Sequence, residues 1–449
     1  MKINVKGSMT ICLSLSMVLF LSFCMVLLEG ARIYFLRMET AQAMELTEFS
    51  VLSEFQIELF QSYGLFFLDL DYEQGKEQTA ILEKRAEKYL SENATECTTL
   101  EIAAEKFIRA TDGEGNPFFM QAVEQMKVQS GYKLFEELVE FVDGGEQLDV
   151  SELLEEQEAK AQNILHSSAE ENGIPEIEIA LPRFSFPSIK ALTEAVFGNL
   201  EGLSGKSVDL EERILNRVVK KGSGTKENVN FSQMQMFHAY ILNYCNYYGN
   251  KKGEVCKEVL EYQVEYIISG QNNDRENLEN VMWRIFLLRA GGNYLFYHQD
   301  AEKLMKTEAE ALAIASALAN PELVTVVKEI LLITQAIESA IDETKAIFAG
   351  ERVPLYQEGV FCNLELGYEE YLYLLLNTTG KKEKIYRCMD VVELEVRKKS
   401  GYDAFCLDHC TDCFTLVWNY EFESLFLSIP LIDQKTYENT IIKKVFYEN

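Results

Sequence analysis

The chain is poor in the residues and motifs that most often mark catalysis. It has four histidines in 449 residues, and it contains no Gly-x-Ser-x-Gly elbow, His-Glu-x-x-His helix or glycine-rich phosphate loop. A lone histidine, such as His298 between Tyr297 and Gln299, is more often structural than catalytic. We therefore expect a protein that is not an enzyme, with no catalytic residues and no cofactor.

Positive charge is also scarce. Lys and Arg total 42 against 72 Asp and Glu, which gives a formal net charge of −30. Residues 1–37 contribute about +3, so the rest of the chain carries about −33. Such a field repels nucleic acid and anionic headgroups and favours cations or basic partners. We predict no nucleic-acid partner, and the simpler interpretation of the acidic excess, which we favour, is that it keeps an exposed protein soluble.

One long apolar run stands at the start of the chain. Residues 7–28 are uncharged, and Lys2 and Lys6 precede them. A helix of this length rises about 33 Å, which is enough to cross a hydrocarbon core about 30 Å thick. We predict a cytoplasmic leader over residues 1–7 and a transmembrane anchor over residues 8–36 that contacts the bilayer. The lysines favour a cytoplasmic N-terminus and an extracellular C-terminal domain in the cell membrane.

Two alternatives to an intact anchor concern processing. A signal peptide is disfavoured because the run exceeds the usual apolar length and no small-residue cleavage site follows it. A prepilin-type peptidase would cut between Gly7 and Ser8, since this junction resembles its target. Cys12, however, stands where mature pilins usually have glutamate. Gly7 and Ser8 are therefore a candidate processing site, and the question stays open.

The anchor is predicted to continue as a helix beyond the membrane. Residues 29–60 contain no proline, and their apolar residues keep near-helical spacing. We predict an extracellular extension helix over residues 37–70, ending near Gly64, where a glycine can adopt the left-handed turn. If Glu29 interacts with Arg32 one turn later, the helix leaves the bilayer unbroken.

The remainder is predicted as α+β, with helices dominating. We predict an acidic helical insertion over residues 71–187 and an α+β extracellular domain over residues 188–449. Alternation over residues 260–268 predicts a strand with Glu261 and Glu265 on its solvent face. Helices are expected from Asp274, from Asp300, after Pro321, and over residues 368–376 and 384–398. Closing strands are expected over residues 414–429 and 440–447.

Cysteine is sparse, and only three of ten cysteines are clustered. Cys406, Cys410 and Cys413, with His409, have ligand types suited to zinc, and their spacing formally matches a radical-SAM iron–sulfur motif. The position of the motif near the end of an exported domain argues against an iron–sulfur cluster. Zinc is also disfavoured, because the adjacent His409 and Cys410 would need a sharply bent loop to face one ion. We predict no metal there and favour a local or long-range disulfide, with free thiols as the remaining alternative.

A set of short segments carries a family resemblance: Lys6-Gly7-Ser8-Met9-Thr10, Leu27-Leu28-Glu29-Gly30-Ala31-Arg32, Tyr63-Gly64-Leu65-Phe66, Glu265-Tyr266-Ile267-Ile268-Ser269-Gly270, Asp274-Arg275-Glu276-Asn277-Leu278, Val353-Pro354-Leu355, Gly367-Tyr368-Glu369-Glu370-Tyr371-Leu372 and Arg387-Cys388-Met389-Asp390. Together they resemble an uncharacterised family of bacterial single-pass envelope proteins often associated with tight-adherence (Tad) pilus loci. The family has no established activity. The resemblance therefore implies a setting, that of a component or accessory of a surface filament or its assembly machinery.

These observations support one leading hypothesis and one alternative. The leading hypothesis is a non-catalytic, membrane-anchored extracellular structural or assembly component of a Tad-type pilus or related apparatus, with protein partners in that assembly. The alternative is a membrane-tethered sensor or ligand-binding module. Within the domain, the segment Asp274-Arg275-Glu276 is also a candidate partner of Arg387 or Arg284 in a buried network.

Overall fold

The computed structural model describes the chain in ten stretches. These are residues 5–71, 79–128, 150–172, 186–209, 211–250, 260–317, 320–354, 365–399, 404–425 and 436–447. The fold is α+β and dominated by helices, as the sequence predicts.

The helices in the described residues are α1 (Val5–Leu52), α2 (Ile57–Tyr63), α3 (Thr79–Asn93), α4 (Asp112–Val128), α5 (Val150–Asn172), α6 (Ile189–Phe197), α7 (Phe231–Tyr244), α8 (Gln263–Ser269), α9 (Asp274–Gln299), α10 (Ala301–Ala317), α11 (Leu323–Phe348), α12 (Tyr368–Thr378) and α13 (Lys381–Arg397). The strands are β1 (Leu68–Asp69), β2 (Thr98–Arg109), β3 (Val353–Pro354), β4 (Glu365–Leu366), β5 (Cys410–Glu423) and β6 (Thr436–Phe446).

The chain divides into two compact units. Unit 1 comprises Met1–Gln125, Val218–Asn228 and Val396–Asn449, and unit 2 comprises Met126–Arg217 and Val229–Glu395. Unit 1 is therefore assembled from three separate stretches of sequence. The finer boundaries predicted at residues 7, 36, 70 and 187 stay a prediction.

The second half of α1 lies against a β-sheet in unit 1. Leu36, Ala43, Met44 and Val51 recur at helical spacing, are at most 2% exposed, and join one hydrophobic core. The core also contains three residues of α3 and alternate residues of β5: Leu82, Ala86, Leu90, Phe414, Leu416, Trp418, Tyr420 and Phe422. Each large apolar side chain buried in this way contributes roughly 1.5–3 kcal/mol, so this face holds α1 firmly to the sheet.

Strand β5 is the centre of that sheet. It pairs antiparallel with β2 along one edge, and with β1 and then β6 along the other. Trp418, at the middle of β5, lies opposite Ile102 of β2 and Ile441 of β6. The predicted closing strands are thus confirmed, since they correspond to β5 and β6.

The helix at the N-terminus agrees with the prediction in two respects and differs in a third. Helix α1 is continuous beyond the apolar run that ends at Leu28, and Arg32 Nη1 lies 3.9 Å from Glu29 Oε1. Gly64 caps α2 with a φ of 67°, as expected for a left-handed terminus. The prediction of a single helix up to Gly64 is wrong, however, because α1 ends at Leu52. The chain then turns, and the Gln56 N–H donates to the Phe67 carbonyl at 2.8 Å.

Two other secondary-structure predictions are wrong. The insertion over residues 71–187, predicted to be helical, contains strand β2, whose pairing partner β5 lies about 300 residues later and leaves no local signal. The strand predicted at residues 260–268 is helix α8, with Gly270 as its left-handed cap at φ 72°. Every residue from Gln263 to Ile268 is buried. The alternation of apolar and polar residues in this segment therefore does not separate a buried face from an exposed one.

Unit 2 consists mainly of packed helices. Helices α9 and α11 pack against each other, α10 packs on α11, and α8 packs on α9. Asn273 caps α9 by accepting from the Glu276 N–H at 2.8 Å, one residue before the predicted cap Asp274. Asp300 caps α10, as predicted, by accepting from two backbone N–H groups. The predicted helices corresponding to α11, α12 and α13 are also confirmed.

Candidate functional site

Segments that carry the family resemblance meet inside unit 2. Tyr266 of α8 donates its hydroxyl hydrogen bond to Asp390 of α13 at 2.9 Å, and Tyr368 of α12 donates to Glu265 at 2.6 Å. Asp274, at the start of α9, is the third buried acid of the group. We call Glu265, Asp274 and Asp390 the buried carboxyl cluster.

Glu265 is the most deeply enclosed member. It is fully buried, and its Oε1 accepts from the Tyr368 hydroxyl and from the Tyr248 backbone N–H at 2.8 Å. Burial raises its pKa to about 7, against the lowering effect of these two hydrogen bonds. Its second oxygen, Oε2, has no hydrogen-bond partner among the residues that the structure describes. The prediction that Glu265 lies on a solvent face is therefore wrong, because α8 turns it into the core.

The two residues that bond this carboxyl group belong to a set of packed aromatic rings. Tyr248 lies within 5.5–6.2 Å of four other rings, measured between ring centroids, and Phe348 lies 4.7 Å from Tyr368. The rings that contact Tyr248 belong to Phe197, Tyr262, Phe348 and Tyr368. Aromatic rings are side chains that proteins use to hold organic cations, and a carboxylate adds the opposite charge.

Asp274 joins the loop before α8 to the start of α9. Its carboxylate accepts from the Ser204 hydroxyl at 2.5 Å and from the backbone N–H groups of Glu261 and Tyr262 at 2.9 and 3.2 Å. Burial raises the pKa of Asp274 despite these donors. The predicted pairing of Asp274 with Arg387 is wrong, because its donors are these backbone and hydroxyl groups. Glu261 instead lies 2.9 Å from Lys206 and is partly exposed.

Two arginines bind the end of α8. Arg387 Nη1 donates to the carbonyls of Ile267 and Ile268 at 3.0 and 2.9 Å, and Arg213 donates to the carbonyls of Gly270 and Gln271 at 2.8 Å each. Cations at a helix C-terminus offset the partial negative charge of its unpaired carbonyls. Asp390 accepts from the Ile214 N–H at 2.9 Å, and burial raises its pKa to about 6.

The three histidines with described side chains do not form a nucleophilic site. His238 Nε2 lies 2.8 Å from Lys384 Nζ, while His298 and His409 face Glu329 and Asp71 at 3.0 and 3.5 Å. Within the described residues, none of these histidines is hydrogen-bonded to a serine or cysteine side chain. His166 lies on α5, and its side chain is outside the described residues.

The His238 and Lys384 pair is the most buried of these groups. Burial lowers the pKa of Lys384 to about 8, and burial together with Lys384 holds the pKa of His238 well below its ordinary value. Lys384 also donates to the Leu376 carbonyl at 2.7 Å, and Gln235 Oε1 lies 3.2 Å from His238 Nδ1. The pair binds helix ends and neighbouring polar groups within the core.

The cysteine motif lies in unit 1, around the start of β5. Cys406 Sγ accepts from Arg397 Nη2 at 3.3 Å, whereas the Cys410 thiol donates to the Cys406 carbonyl at 3.7 Å. Burial raises the pKa of Cys413, and a hydrogen bond from Lys444 opposes this effect. Among the described residues, no three of Cys406, His409, Cys410 and Cys413 bring ligand atoms within 4.8 Å of one another. The structure therefore does not assemble the motif into one ligand set, and the disulfide stays a prediction.

His409 adjoins two acids that the sequence analysis did not single out. Asp69 and Asp71 are at most 9% exposed, and the Asp71 N–H donates to Asp69 Oδ1 at 3.1 Å. Burial and then Asp71 raise the pKa of Asp69 to about 7. The signal that could have found this pair is the spacing Asp69-Leu70-Asp71 at the end of an apolar run, but β1 is only two residues long.

The candidate processing residues Gly7 and Ser8 lie in the first turns of α1. Their side chains are outside the described residues, so cleavage between them stays a prediction. Within the described residues one helix is long and apolar enough to cross a membrane, and that helix is α1.

Comparison with known proteins gives a family and no activity. The model of a family of unknown function, DUF5702, matches residues 183–366 and 357–422, slightly more than half of the chain. This span includes the whole buried carboxyl cluster. No curated protein and no solved structure matches the chain.

Proposed function

We propose, from the premise that the chain belongs to DUF5702, a family of unknown function, that the protein is a non-catalytic structural or assembly component of a Tad-type pilus or related surface apparatus. In this proposal α1 is a single-pass anchor with a cytoplasmic N-terminus, and the acidic domain is extracellular. Because the family assigns no activity, the proposal depends on the geometry of α1.

The observation that carries the proposal is the continuity of α1 from an exposed apolar segment into a protein core. Between Met9 and Leu28, the large apolar side chains are 46–74% exposed. From Leu36 to Val51, the same helix contributes four residues to the core of unit 1. An enzyme domain needs only a flexible tether to a membrane. A component of a filament or its assembly machinery requires a fixed geometry between membrane helix and domain, which an unbroken helix provides.

A second face of α1 is available for another helix. Phe35, Met38, Leu46 and Phe49 are 47–70% exposed and recur on the side of α1 away from the sheet. Within the anchor, Ser14, Ser16 and Ser22 bond to carbonyls of their own helix, so their small side chains permit close helix approach. We assign the exposed side of α1 that carries Phe35, Met38, Leu46 and Phe49 to the anchor helix of another subunit of the apparatus.

Photo-crosslinking in native membranes tests this assignment. A photoreactive residue replaces Phe49, and a matched variant carries it at Lys88, which is exposed on α3. We expect Phe49, and not Lys88, to yield adducts with a pilus component or with a second copy of the chain. Failure of Phe49 to capture either one would contradict the proposal. Protease added to intact cells tests the orientation, because only an extracellular domain is cleaved without lysis.

A ligand-binding module is the second candidate function. The observation that favours it is fully buried Glu265, whose Oε2 accepts no hydrogen bond from any described residue and whose bonded neighbours are aromatic. Thermal unfolding of the full chain with small organic amines tests it. A saturable rise in Tm that Glu265→Gln abolishes would favour the module, and no rise with any amine would argue against it.

A further inference from the structure

Two cysteines distant in sequence meet in the core of unit 2. Cys245 directly follows α7 and Cys388 lies in the middle of α13, and both are fully buried. The Cys245 thiol is hydrogen-bonded to the Cys388 thiol. Two neighbouring thiols in a protein interior differ from an isolated buried cysteine, because each has a partner with which it could form a disulfide bond.

The backbone around the pair is fixed on both sides. The Cys245 N–H donates to the Ile241 carbonyl at 2.9 Å as the last bond of α7. Cys388 is enclosed by turns of α13, where neighbouring Arg387 and Asp390 hold the end of α8 and the Ile214 N–H. The contact therefore belongs to two well-anchored elements rather than to mobile loops.

We propose that Cys245 and Cys388 are joined by a disulfide bond in the exported protein. Two S–H bonds break and one S–S bond forms. The two electrons and two protons pass to the disulfide of an extracytoplasmic thiol oxidoreductase, which becomes a dithiol. The inference rests on the extracellular location in the proposed function, since thiols stay reduced in the cytosol.

The timing of the reaction follows from burial. The hydrogen bond to Cys388 and burial raise the pKa of the Cys245 thiol well above its ordinary value. A buried, protonated thiol reacts poorly in disulfide exchange. Oxidation therefore precedes closure of the core, while both thiols are accessible, and the finished bond is shielded from added reductant. The bond closes a loop of about 140 residues and so restricts the unfolded chain strongly.

The other cysteines provide controls and competitors. Cys97 is partly buried on the segment before β2, in unit 1, and serves as the unpaired control. Cys256 and Cys362 lie outside the described residues and are competing partners for either thiol. The proposal thus specifies one pairing among several that the cysteine count allows.

Peptide mapping of the full chain tests the pairing directly. Cells are treated with a thiol alkylator in denaturant at lysis, and the purified chain is digested without reduction. We expect a linked peptide that contains Cys245 and Cys388, with Cys97 alkylated. Alkylation of both Cys245 and Cys388, or linkage of either to another cysteine, would overturn the proposal.

Protease accessibility of the domain in intact cells, measured on the same sample, separates this inference from the proposed function. Reduced thiols in an accessible domain overturn the disulfide alone. An inaccessible domain overturns the proposed location, whatever the state of the pair.

Stability measurements supply a second readout. Cys245→Ala, Cys388→Ala and the double variant remove the same bond, so each should lower Tm by a similar amount, roughly 5 to 15 °C. Cys97→Ala should have a much smaller effect. If the two single losses instead add in the double variant, the residues act as separate core thiols, and the proposal is wrong.

Discussion

Replacing Glu265 with glutamine should change how the stability of unit 2 depends on pH. Glu265 is fully buried and has a pKa of about 7, against an ordinary value of 4.5. The folded protein therefore binds this proton more tightly than the unfolded chain does. Its contribution to stability is fully present below pH 4.5 and is lost as the pH rises toward 7.

The magnitude follows from the two pKa values. At 1.36 kcal/mol per pKa unit, the limiting loss is about 3 kcal/mol, and most of it falls between pH 5 and pH 8. The glutamine side chain of the variant does not titrate. The difference in unfolding free energy between the variant and the wild type should therefore shift in favour of the variant by this amount over the same interval. Other titrating groups, such as Asp390 and His238, are present in both proteins and cancel in the difference.

The two tryptophans of the chain make unit 2 separately observable. Trp283 lies in unit 2 and Trp418 in unit 1, so a Trp418→Phe background leaves one fluorescent reporter. Urea unfolding of the full chain in detergent, followed by Trp283 emission at several pH values, gives the free-energy difference. Glu261→Gln is the matched control, because this neighbouring carboxylate is partly exposed beside Lys206. Parallel pH profiles for wild type and Glu265→Gln would refute the argument that Glu265 titrates within the folded core.

Three further substitutions test other parts of the structure. Gly270→Ala should cost about 2 kcal/mol more than Gly249→Ala, although both glycines have positive φ. A Cβ on Gly270 would lie 2.4 Å from Arg387 Cζ and displace its two hydrogen bonds, whereas a Cβ on Gly249 meets no described atom within 4 Å; equal costs would contradict this. Asp112→Ala should lower the unfolding free energy of unit 1 by about 3 kcal/mol, because three backbone N–H groups lose their acceptor. Urea unfolding followed by Trp418 emission measures this loss, and a loss smaller than that of the exposed Lys88→Ala control would show the bonds to be unimportant. Wild-type stability should rise by up to about 3 kcal/mol between pH 8 and 10.5, because the pKa of Lys384 is about 8 in the folded protein and 10.5 in the unfolded chain. Lys384→Met should abolish this rise, and an unchanged profile of unfolding free energy against alkaline pH would count against a buried, titrating lysine.

The elements that could be predicted are those that a local sequence signal specifies. Helix α1 is marked by a long apolar run, α10 by the cap at Asp300, and the end of α8 by Gly270. Strand β2 could not be predicted because its stability comes from pairing with β5, far along the chain. The helical form of residues 263–269 was hidden because a fully buried short helix shows no polar face.

The candidate site was visible only as sequence fragments. Tyr266, Tyr368 and Asp390 belong to segments that carry the family resemblance, yet no spacing within any one segment indicates that they meet. Their contacts depend on the packing of α8, α12 and α13, which is a tertiary property. By contrast, the cysteine motif gave the clearest local signal, and the described residues do not bring its ligands together.

Unit 1 is assembled from segments at both ends of the chain, and this has a consequence for biosynthesis. Strand β2 emerges from the ribosome about 300 residues before its partner β5, a delay of roughly 15 to 60 s at 5–20 residues per second. All of unit 2 is translated within that interval. During it, β2 and the sheet-facing side of α1 are without their native cover. Nascent chains stalled before residue 410 should therefore contain a protease-resistant unit 2 and a protease-sensitive β2, which makes this protein a natural client for holding chaperones.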